Sequence, residues 1–160
     1  MKKLISFILT ILLLTSTACA NGNNKAAKSS SKGELSNMKI SIQITNDSGK
    51  SELTATLADN SSALAFYELL KKGPLTVMLN EYGEFEKVGS LGTTLPRSDR
   101  QTATKPGDIM LYQGNQITIF YNNNRWSYTP LGKVDGVKQA ELKKILGKGD
   151  VTAVFRHCEP

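Results

Sequence analysis

The sequence predicts a mainly β domain with about eight short strands and two short helices. Apolar and polar residues alternate over many short segments, which is typical of half-buried strands. Turn-forming residues such as Gly, Asn and Asp separate these segments. Only two segments, near residues 60–72 and 137–146, have apolar residues at helical spacing. Many short strands with frequent turns favour a sandwich or a barrel.

The first predicted elements are a hairpin and a helix. In KISIQIT, residues 39–45, three isoleucines share one face, and ELTATLA, residues 52–58, alternates again after the turn NDSGK. Residues 60–72 then change to the helical period, with Asn60, Ser61 or Ser62 as a cap. Lys71-Lys72-Gly73-Pro74 supplies a basic end, a glycine stop and a proline beyond it, which together predict the end of the helix.

The second half is predicted as a meander that ends in a helix and a strand. LTVMLNEY, residues 75–82, is a strand, whereas Gly83 to Lys105 has little regular pattern and predicts a long loop with short strand pieces. The later predicted elements are strands at 108–112, 116–121 and 125–128, a short strand and turn in LGKVDG, a helix at 137–146 and a strand at 151–155.

The N-terminal residues predict export. Lys2 and Lys3 precede LISFILTILLL, residues 4–14, which is almost entirely apolar. A short positive start before such a run is typical of a secretory signal peptide, and the run is too short for a membrane span of roughly 20 residues. We therefore assign residues 1–18 to a signal peptide, or residues 1–20 if the chain is cleaved as a secreted protein.

Two interpretations of the cleavage region remain open. Residues 16–19, STAC, resemble the lipobox of bacterial lipoproteins, in which the cysteine is lipidated and becomes the first mature residue. Ser16 departs from the aliphatic residue usual at its position. Alternatively, Ala18-Cys19-Ala20 matches the small-x-small pattern of a secreted protein cleaved after Ala20.

Residues 19–37 are predicted to be a lipidation site followed by a flexible linker. Asn21 to Gly33 is polar and lacks large apolar residues, so it cannot bury enough surface to offset the entropy of ordering. A tether directly after Cys19 favours the lipoprotein interpretation. We expect an extracytoplasmic protein held at the membrane by lipid on Cys19, with free secretion as the alternative.

Composition and motifs point away from several classes of partner and cofactor. The net charge of +6 is modest and no basic stripe is interleaved with aromatics, so we expect no nucleic-acid partner. Cys158 is the only thiol of the folded part, so no disulfide is expected within it. His157, Cys158 and Glu159 are adjacent on a terminal tail, where ligands rarely converge on one ion. We expect no metal, no cofactor and a monomer.

Two segments carry a resemblance to a known family. EYGEFEKVGSLGTTLP and GDIMLYQGNQITIFYNNNRWSYTPLGKVDG resemble the compact bacterial cyclophilin-like domains, and the resemblance spans roughly residues 38–156. We assign residues 38–160 to this domain. The resemblance implies a closed eight-stranded barrel with a helix covering each open end, and it is compatible with a domain that binds a small ligand or peptide.

The isomerase chemistry of true cyclophilins is not carried over. It needs an arginine that stabilises the twisted X-Pro amide beside an apolar proline pocket, against a barrier of about 18–20 kcal/mol. Arg97 and Arg100 fall in the long loop, Arg125 starts a turn and Arg156 is terminal, so no catalytic residue is assigned. Peptidyl-prolyl isomerisation and a cell-envelope protein-interaction module are the alternative functions.

The aromatic meander is the first candidate ligand surface. Its candidate residues, with Phe85, are Gln113, Phe120, Trp126 and Tyr128, and the alternative is that these aromatics form the core or cover of the barrel. A two-residue Gly114-Asn115 turn would pair Tyr112 with Ile117 and place Phe120 on one face with Leu111 and Ile109.

The turn at Asn122–Asn124 leaves the faces of the next strand open. A three-residue loop pairs Phe120 with Trp126, whereas a two-residue loop pairs Tyr121 with Trp126. Because a slip of one residue moves side chains to the opposite face, the sequence does not decide whether Trp126 and Tyr128 lie in the core or in a groove.

EYGEFEK is the second candidate. Glu81, Glu84 and Glu86 could form a carboxylate pair for acid–base chemistry, which would need a pocket and a perturbed pKa. The favoured interpretation is a solvated edge, with Lys87 opposite the glutamates and Phe85 directed inward.

Overall fold

The computed structural model describes residues 38–158. The predicted signal peptide, the predicted lipidation site Cys19 and the predicted linker, all within residues 1–37, lie outside this part of the chain. The elements are β1 (Lys39–Asn46), β2 (Gly49–Leu57), α1 (Ser61–Lys71), β3 (Leu75–Tyr82), β4 (Glu86–Ser90), β5 (Arg100–Thr104), β6 (Asp108–Tyr112), β7 (Gln116–Phe120), β8 (Asn124–Val134), α2 (Gln139–Leu146) and β9 (Val151–His157).

Eight of the nine strands in residues 38–158 form a closed ring of antiparallel neighbours. The order is β2-β1-β9-β3-β4-β7-β6-β8, and the ring closes where Ala55–Leu57 pair with Gly132–Val134. β5 pairs with the first half of β8, outside the ring. The predicted mainly β fold with two helices is confirmed, and the short strand pieces expected between Gly83 and Lys105 are β4 and β5.

The main core lies on one face of the ring. Ile40, Ile42 and Ile44 of β1 are fully or almost fully buried, as their alternation predicts. α1 packs against the same core, and Phe66 meets Phe155 of β9 edge to face with ring centroids 5.8 Å apart. Each such side chain contributes about 1.5–3 kcal/mol through burial.

Capping fixes the start of α1 and ties it to the ring. Asn60 is the cap, since its Oδ1 accepts a hydrogen bond from the Ala63 N–H at 2.9 Å. Its Nδ2 donates to the Pro130 carbonyl of β8 at 2.9 Å. The predicted cap and helix boundaries are confirmed to within a residue. Neither helix in residues 38–158 is long and apolar enough to span a bilayer.

The predicted pairing of β6 with β7 is wrong by one residue. Tyr112 pairs with Gln116 rather than with Ile117, so the turn contains three residues instead of two. Gln113 and Gly114 both have positive φ values, 52° and 82°. Non-glycine residues rarely adopt this conformation, so the sequence gives little sign of it at Gln113. The slip moves Phe120 to the face opposite the main core.

Neither predicted pairing of β7 with β8 occurs. Both edges of β7 are already occupied, one by β6 and the other by β4, so β8 instead pairs with β6, β5 and β2. Two hydrogen bonds to the β3–β4 turn fix the path of the chain after β7. The Tyr121 and Asn122 N–H groups donate to the Phe85 carbonyl at 2.9 and 3.1 Å. Trp126 pairs with Thr102 of β5.

Candidate functional site

A second apolar cluster lies on the face of the sheet opposite the main core. Strand alternation places Ile117 and Ile119 of β7 in the main core, whereas Phe120 lies in the second cluster with Met110 and Tyr128. Phe85 and Tyr112 pack against it. This cluster forms the base of a cleft.

The cleft has a volume of about 370 Å³, which is within the range of about 300–1,000 Å³ typical of small-ligand sites. It is formed by the ends of β3 and β8 and by the outward side chains of β4, β6 and β7. The lining residues are Tyr82, Phe85, Glu86, Val88, Tyr112, Gln116, Asn124, Trp126 and Tyr128.

Contacts between aromatic rings hold the base and walls in place. The rings of Phe85 and Phe120 are nearly parallel, with an interplanar angle of 5° and centroids 6.3 Å apart. Phe120 also meets Tyr128 edge to face at 5.3 Å, and Tyr128 meets Tyr112 at 5.9 Å. Tyr82 meets the edge of Phe85 at 5.7 Å. Such pairs add stability beyond area burial and restrict ring rotation, so the walls are preformed.

A tight turn between β3 and β4 positions Phe85. Gly83 and Glu84 both have left-handed backbone conformations, with φ values of 60° and 59°. A Cβ atom at Gly83 would lie 2.3 Å from Cε1 of the Phe85 ring, so only glycine allows the ring to lie over this turn. The backbone of Phe85 is fixed as well, through the two hydrogen bonds that its carbonyl accepts from residues 121 and 122.

Glu86 is the one carboxyl group among the described residues that line the cleft. It lies between its strand partners Tyr82 and Phe120 and is 5% exposed. No described residue supplies a hydrogen-bond partner for its Oε2 atom. Burial raises the pKa of the Glu86 carboxyl from 4.5 to about 7, because the charged form loses hydration. Near neutral pH the protonated and ionised forms therefore coexist.

The predicted solvated edge at EYGEFEK is wrong for Glu86 and Lys87, and it holds for Glu84, which is exposed. Lys87 is fully buried on the other face of β4. Its Nζ donates to Glu81 Oε2 and to the Gly149 carbonyl at 2.5 Å each, and to the Gly147 carbonyl at 3.2 Å. These three acceptors satisfy the ammonium group, which is therefore no counter-ion for Glu86.

Tyr128 contributes a hydroxyl group that stays protonated. Its pKa is raised to about 12, first by burial and then by the negative charge of Glu86. Asn124 Nδ2 donates to the Tyr128 hydroxyl at 3.0 Å, which orients this group at the end of the cleft. The cleft thus combines apolar ring faces with a few fixed polar atoms.

The structure brings together most of the residues that the sequence singled out. Phe85, Trp126 and Tyr128 line the cleft, and Phe120 lies buried beneath it. Trp126 is 57% exposed and therefore belongs to the groove side rather than to the core. Gln113 is exposed and does not line the cleft, although its Nε2 donates to the Tyr112 hydroxyl at 3.1 Å.

Two polar lining residues, Gln116 and Asn124, were not predicted as site residues, and a third, Glu86, was considered as a carboxylate but assigned to a solvated edge. Gln116 was predicted as the first residue of the strand after the Gly114-Asn115 turn, and Asn124 was assigned to the Asn122–Asn124 turn. Among residues 38–158 no cluster of three or more His, Cys, Asp or Glu side chains could hold a metal ion. Arginine, lysine and histidine are absent from the described residues that line the cleft.

Comparison with known proteins supports the fold. The sequence model of the Cyclophilin-like family matches residues 47–156. The solution structure of the hypothetical protein AF2241 from Archaeoglobus fulgidus is similar, with a TM-score of 0.53 and 14% sequence identity. The similarity covers 75% of this chain and 95% of that chain, and at this identity it shows a shared fold. No curated protein matches the sequence significantly.

Proposed function

The chain belongs to the Cyclophilin-like family, and we propose that its domain binds a small ligand or a peptide in the cleft over Glu86. The observation that carries this proposal is a buried carboxyl group in the lining of a preformed aromatic cleft, one oxygen of which has no hydrogen-bond partner among the described residues. We also infer that the eight-stranded ring is the closed barrel that the family resemblance implies.

Energetics support a binding role for this carboxyl group. Leaving a buried polar atom without a hydrogen bond costs about 1–3 kcal/mol, and more when the group is charged. An apolar residue at position 86 would avoid this cost and would still pack between Tyr82 and Phe120. A ligand that donates a hydrogen bond to the Glu86 carboxyl group would offset part of this cost.

The single tryptophan gives a direct test, because Trp126 lines the cleft. We expect some members of a small-molecule and peptide library to change Trp126 fluorescence in the full-length chain. Tyr128→Ala should weaken that binding, whereas Met78→Ala should not, since Met78 is exposed and outside the lining residues. Compounds that act equally on both variants would contradict a site in the cleft.

We propose binding without proline isomerisation. The described lining of the cleft offers one carboxyl, two side-chain amides and phenol groups, but no cationic donor for a twisted amide. An isomerisation assay with a proline-containing tetrapeptide should give the uncatalysed rate. Robust turnover that Tyr128→Ala abolishes would establish the enzyme alternative instead.

A protein-interaction role is the second candidate, and it rests on two exposed rim residues. Tyr82 is 60% exposed and Trp126 is 57% exposed, and aromatic side chains of this kind are enriched at protein interfaces. If the partner is a protein, Tyr82→Ser and Trp126→Ser should each reduce its binding, whereas a ligand held deep in the cleft should tolerate the loss of Tyr82 better.

We propose that the domain is exported and anchored to the membrane through lipid on Cys19. The support is the Lys2–Leu14 pattern together with the lipobox-like residues 16–19. Mass spectrometry of the mature N-terminus tests this. A lipid-modified Cys19 is expected, whereas a chain that starts at Asn21 would mean free secretion.

A further inference from the structure

Resting on the proposed function, we propose that the ligand of the cleft presents an organic cation, an ammonium or guanidinium group, to the carboxylate of Glu86. The group would lie between this carboxylate and the faces of the surrounding rings. The sequence suggests Glu86 only as one of a possible pair of acid–base carboxylates, and it favours a solvated edge for the EYGEFEK segment.

The charge of Glu86 favours a cationic ligand. Glu86 is the one formally charged side chain among the described lining residues. The nearest cation along the chain, Lys87, is on the opposite face and already has three acceptors. An ionised Glu86 therefore lacks a counter-ion in the described structure, and a buried charge is stable only when it is paired. A cationic ligand supplies the missing charge.

The aromatic rings of the cleft also favour a cationic ligand. Five aromatic residues line the cleft: Tyr82, Phe85, Tyr112, Trp126 and Tyr128. The negative face of an aromatic ring attracts ammonium and guanidinium groups, and Trp and Tyr attract them most strongly. Several such faces next to one carboxylate form the arrangement by which proteins recognise organic cations. An anionic ligand would be repelled by the ionised Glu86 and by the negative faces of the rings.

The titration of Glu86 gives the inference a distinctive signature. A cation binds the ionised carboxylate, so its apparent affinity follows the ionised fraction. The other titratable groups that line the cleft are the phenols of Tyr82 on β3, Tyr112 on β6 and Tyr128 on β8. Glu84, in the β3–β4 turn, is exposed and is not among the lining residues. β7 adds Gln116, which is neutral. With a Glu86 pKa of about 7, the affinity should rise about tenfold from pH 6 to pH 8 and then level off.

The test measures binding of four probes to the full-length chain by Trp126 fluorescence and calorimetry. Butylguanidinium and butylammonium are the cations, and pentanamide and butanol are neutral compounds of similar size. We expect the cations to bind at least tenfold more tightly than the neutral probes at pH 8. Glu86→Gln should abolish this preference and its pH dependence. Glu84→Gln is the matched control, because it removes one nearby negative charge outside the lining and should change neither.

The outcomes separate this inference from the proposed function. If neutral probes bind as tightly as cations, and Tyr128→Ala weakens both, the cation inference is overturned while the binding cleft stands. If no probe or library compound binds, both proposals fail. Retained cation preference in Glu86→Gln, with a normal unfolding transition, would also overturn the inference.

A fifth probe distinguishes two sources of the cation. A capped Gly-Lys-Gly tripeptide carries the same ammonium group as butylammonium. Tighter binding of the peptide would indicate a basic side chain of a polypeptide, whereas tighter binding of butylammonium would indicate a free amine.

Discussion

Glu86 and Lys87 are consecutive residues, yet β4 directs their side chains to opposite faces of the sheet. Of the two ionisable groups, only the ammonium group of Lys87 has a full set of hydrogen-bond partners among the described residues. The ammonium group of Lys87 has Glu81 and two backbone carbonyls as acceptors. The Glu86 carboxyl faces an aromatic cleft, with Oε2 unpartnered among the described residues. Lys87 therefore stabilises the fold, whereas Glu86 is the group to which the proposed ligand would bind.

The first prediction concerns the pH dependence of stability. The Glu86 pKa is raised from 4.5 in the unfolded chain to about 7 in the folded one, so the folded protein holds this proton more tightly. Stability from this proton is present below pH 4.5 and is lost as the pH rises through 7. The loss reaches about 3 kcal/mol, since each pH unit between the two pKa values is worth about 1.4 kcal/mol. Glu86→Gln should abolish this loss.

Urea unfolding of both proteins at pH 4.5, 6 and 8 measures this effect. The free energy of unfolding of Glu86→Gln, relative to the natural protein, should rise by about 3 kcal/mol between pH 4.5 and pH 8. A difference that stays constant with pH would mean that Glu86 ionises in the folded protein as it does in water.

The second prediction concerns Lys87. Lys87→Met keeps most of the apolar stem but leaves Glu81 and the carbonyls of Gly147 and Gly149 without their donor. Breaking a buried pair by removing one partner costs about 3–5 kcal/mol, and the partial exposure of Glu81 favours the lower end. Urea unfolding at pH 7 measures the change. Lys50→Met is the control, because Lys50 is exposed and its loss should cost less than about 0.5 kcal/mol. Equal effects of the two variants would contradict a structural role for Lys87.

Local patterns account for the strands and helices that the sequence predicted. Alternation marks β1, β2 and β3 because one face of each strand packs on the core. The errors lie where distant segments compete. β4 occupies the edge of β7 that a β7–β8 hairpin would need, and no local signal reveals this. The register of β6 and β7 depends on a left-handed Gln113, which residue type alone does not indicate.

The candidate site was also predictable only in part, because local patterns do not show which distant segments meet. The aromatic residues were identified by composition, and three of the five candidates line the cleft. The burial of Glu86 was not predictable, because the tyrosines that line the cleft with it, Tyr82, Tyr112 and Tyr128, come from three other strands. In a local window, a glutamate beside a lysine predicts a solvated pair.

The third prediction concerns the base of the cleft. Phe120 is fully buried and contacts Phe85 and Tyr128 through its ring, so Phe120→Ala removes the support of both walls. The expected cost is about 3–5 kcal/mol of unfolding free energy, together with weaker binding in the cleft. Thermal and urea unfolding measure the loss of stability, and titration with a cleft ligand measures the loss of affinity. Leu79→Ala is the comparison, since it should destabilise through the main core while leaving ligand affinity unchanged in the folded fraction.

The fourth prediction concerns the turn that positions Phe85, and it compares two glycines. Gly83 and Gly92 both have positive φ values, 60° and 68°, so an alanine at either position carries a backbone cost of about 1 kcal/mol. At Gly92 an added Cβ meets no atom within 4 Å, whereas at Gly83 it would lie 2.3 Å from the Phe85 ring. Gly83→Ala should therefore displace this ring and reduce ligand binding. Gly92→Ala should lose a similar amount of unfolding free energy through its backbone, and it should bind the ligand as tightly as the natural protein does. Titrations monitored through Trp126, with urea unfolding of both variants, separate the two effects. Equal affinities in the two variants would show that Phe85 does not shape the site.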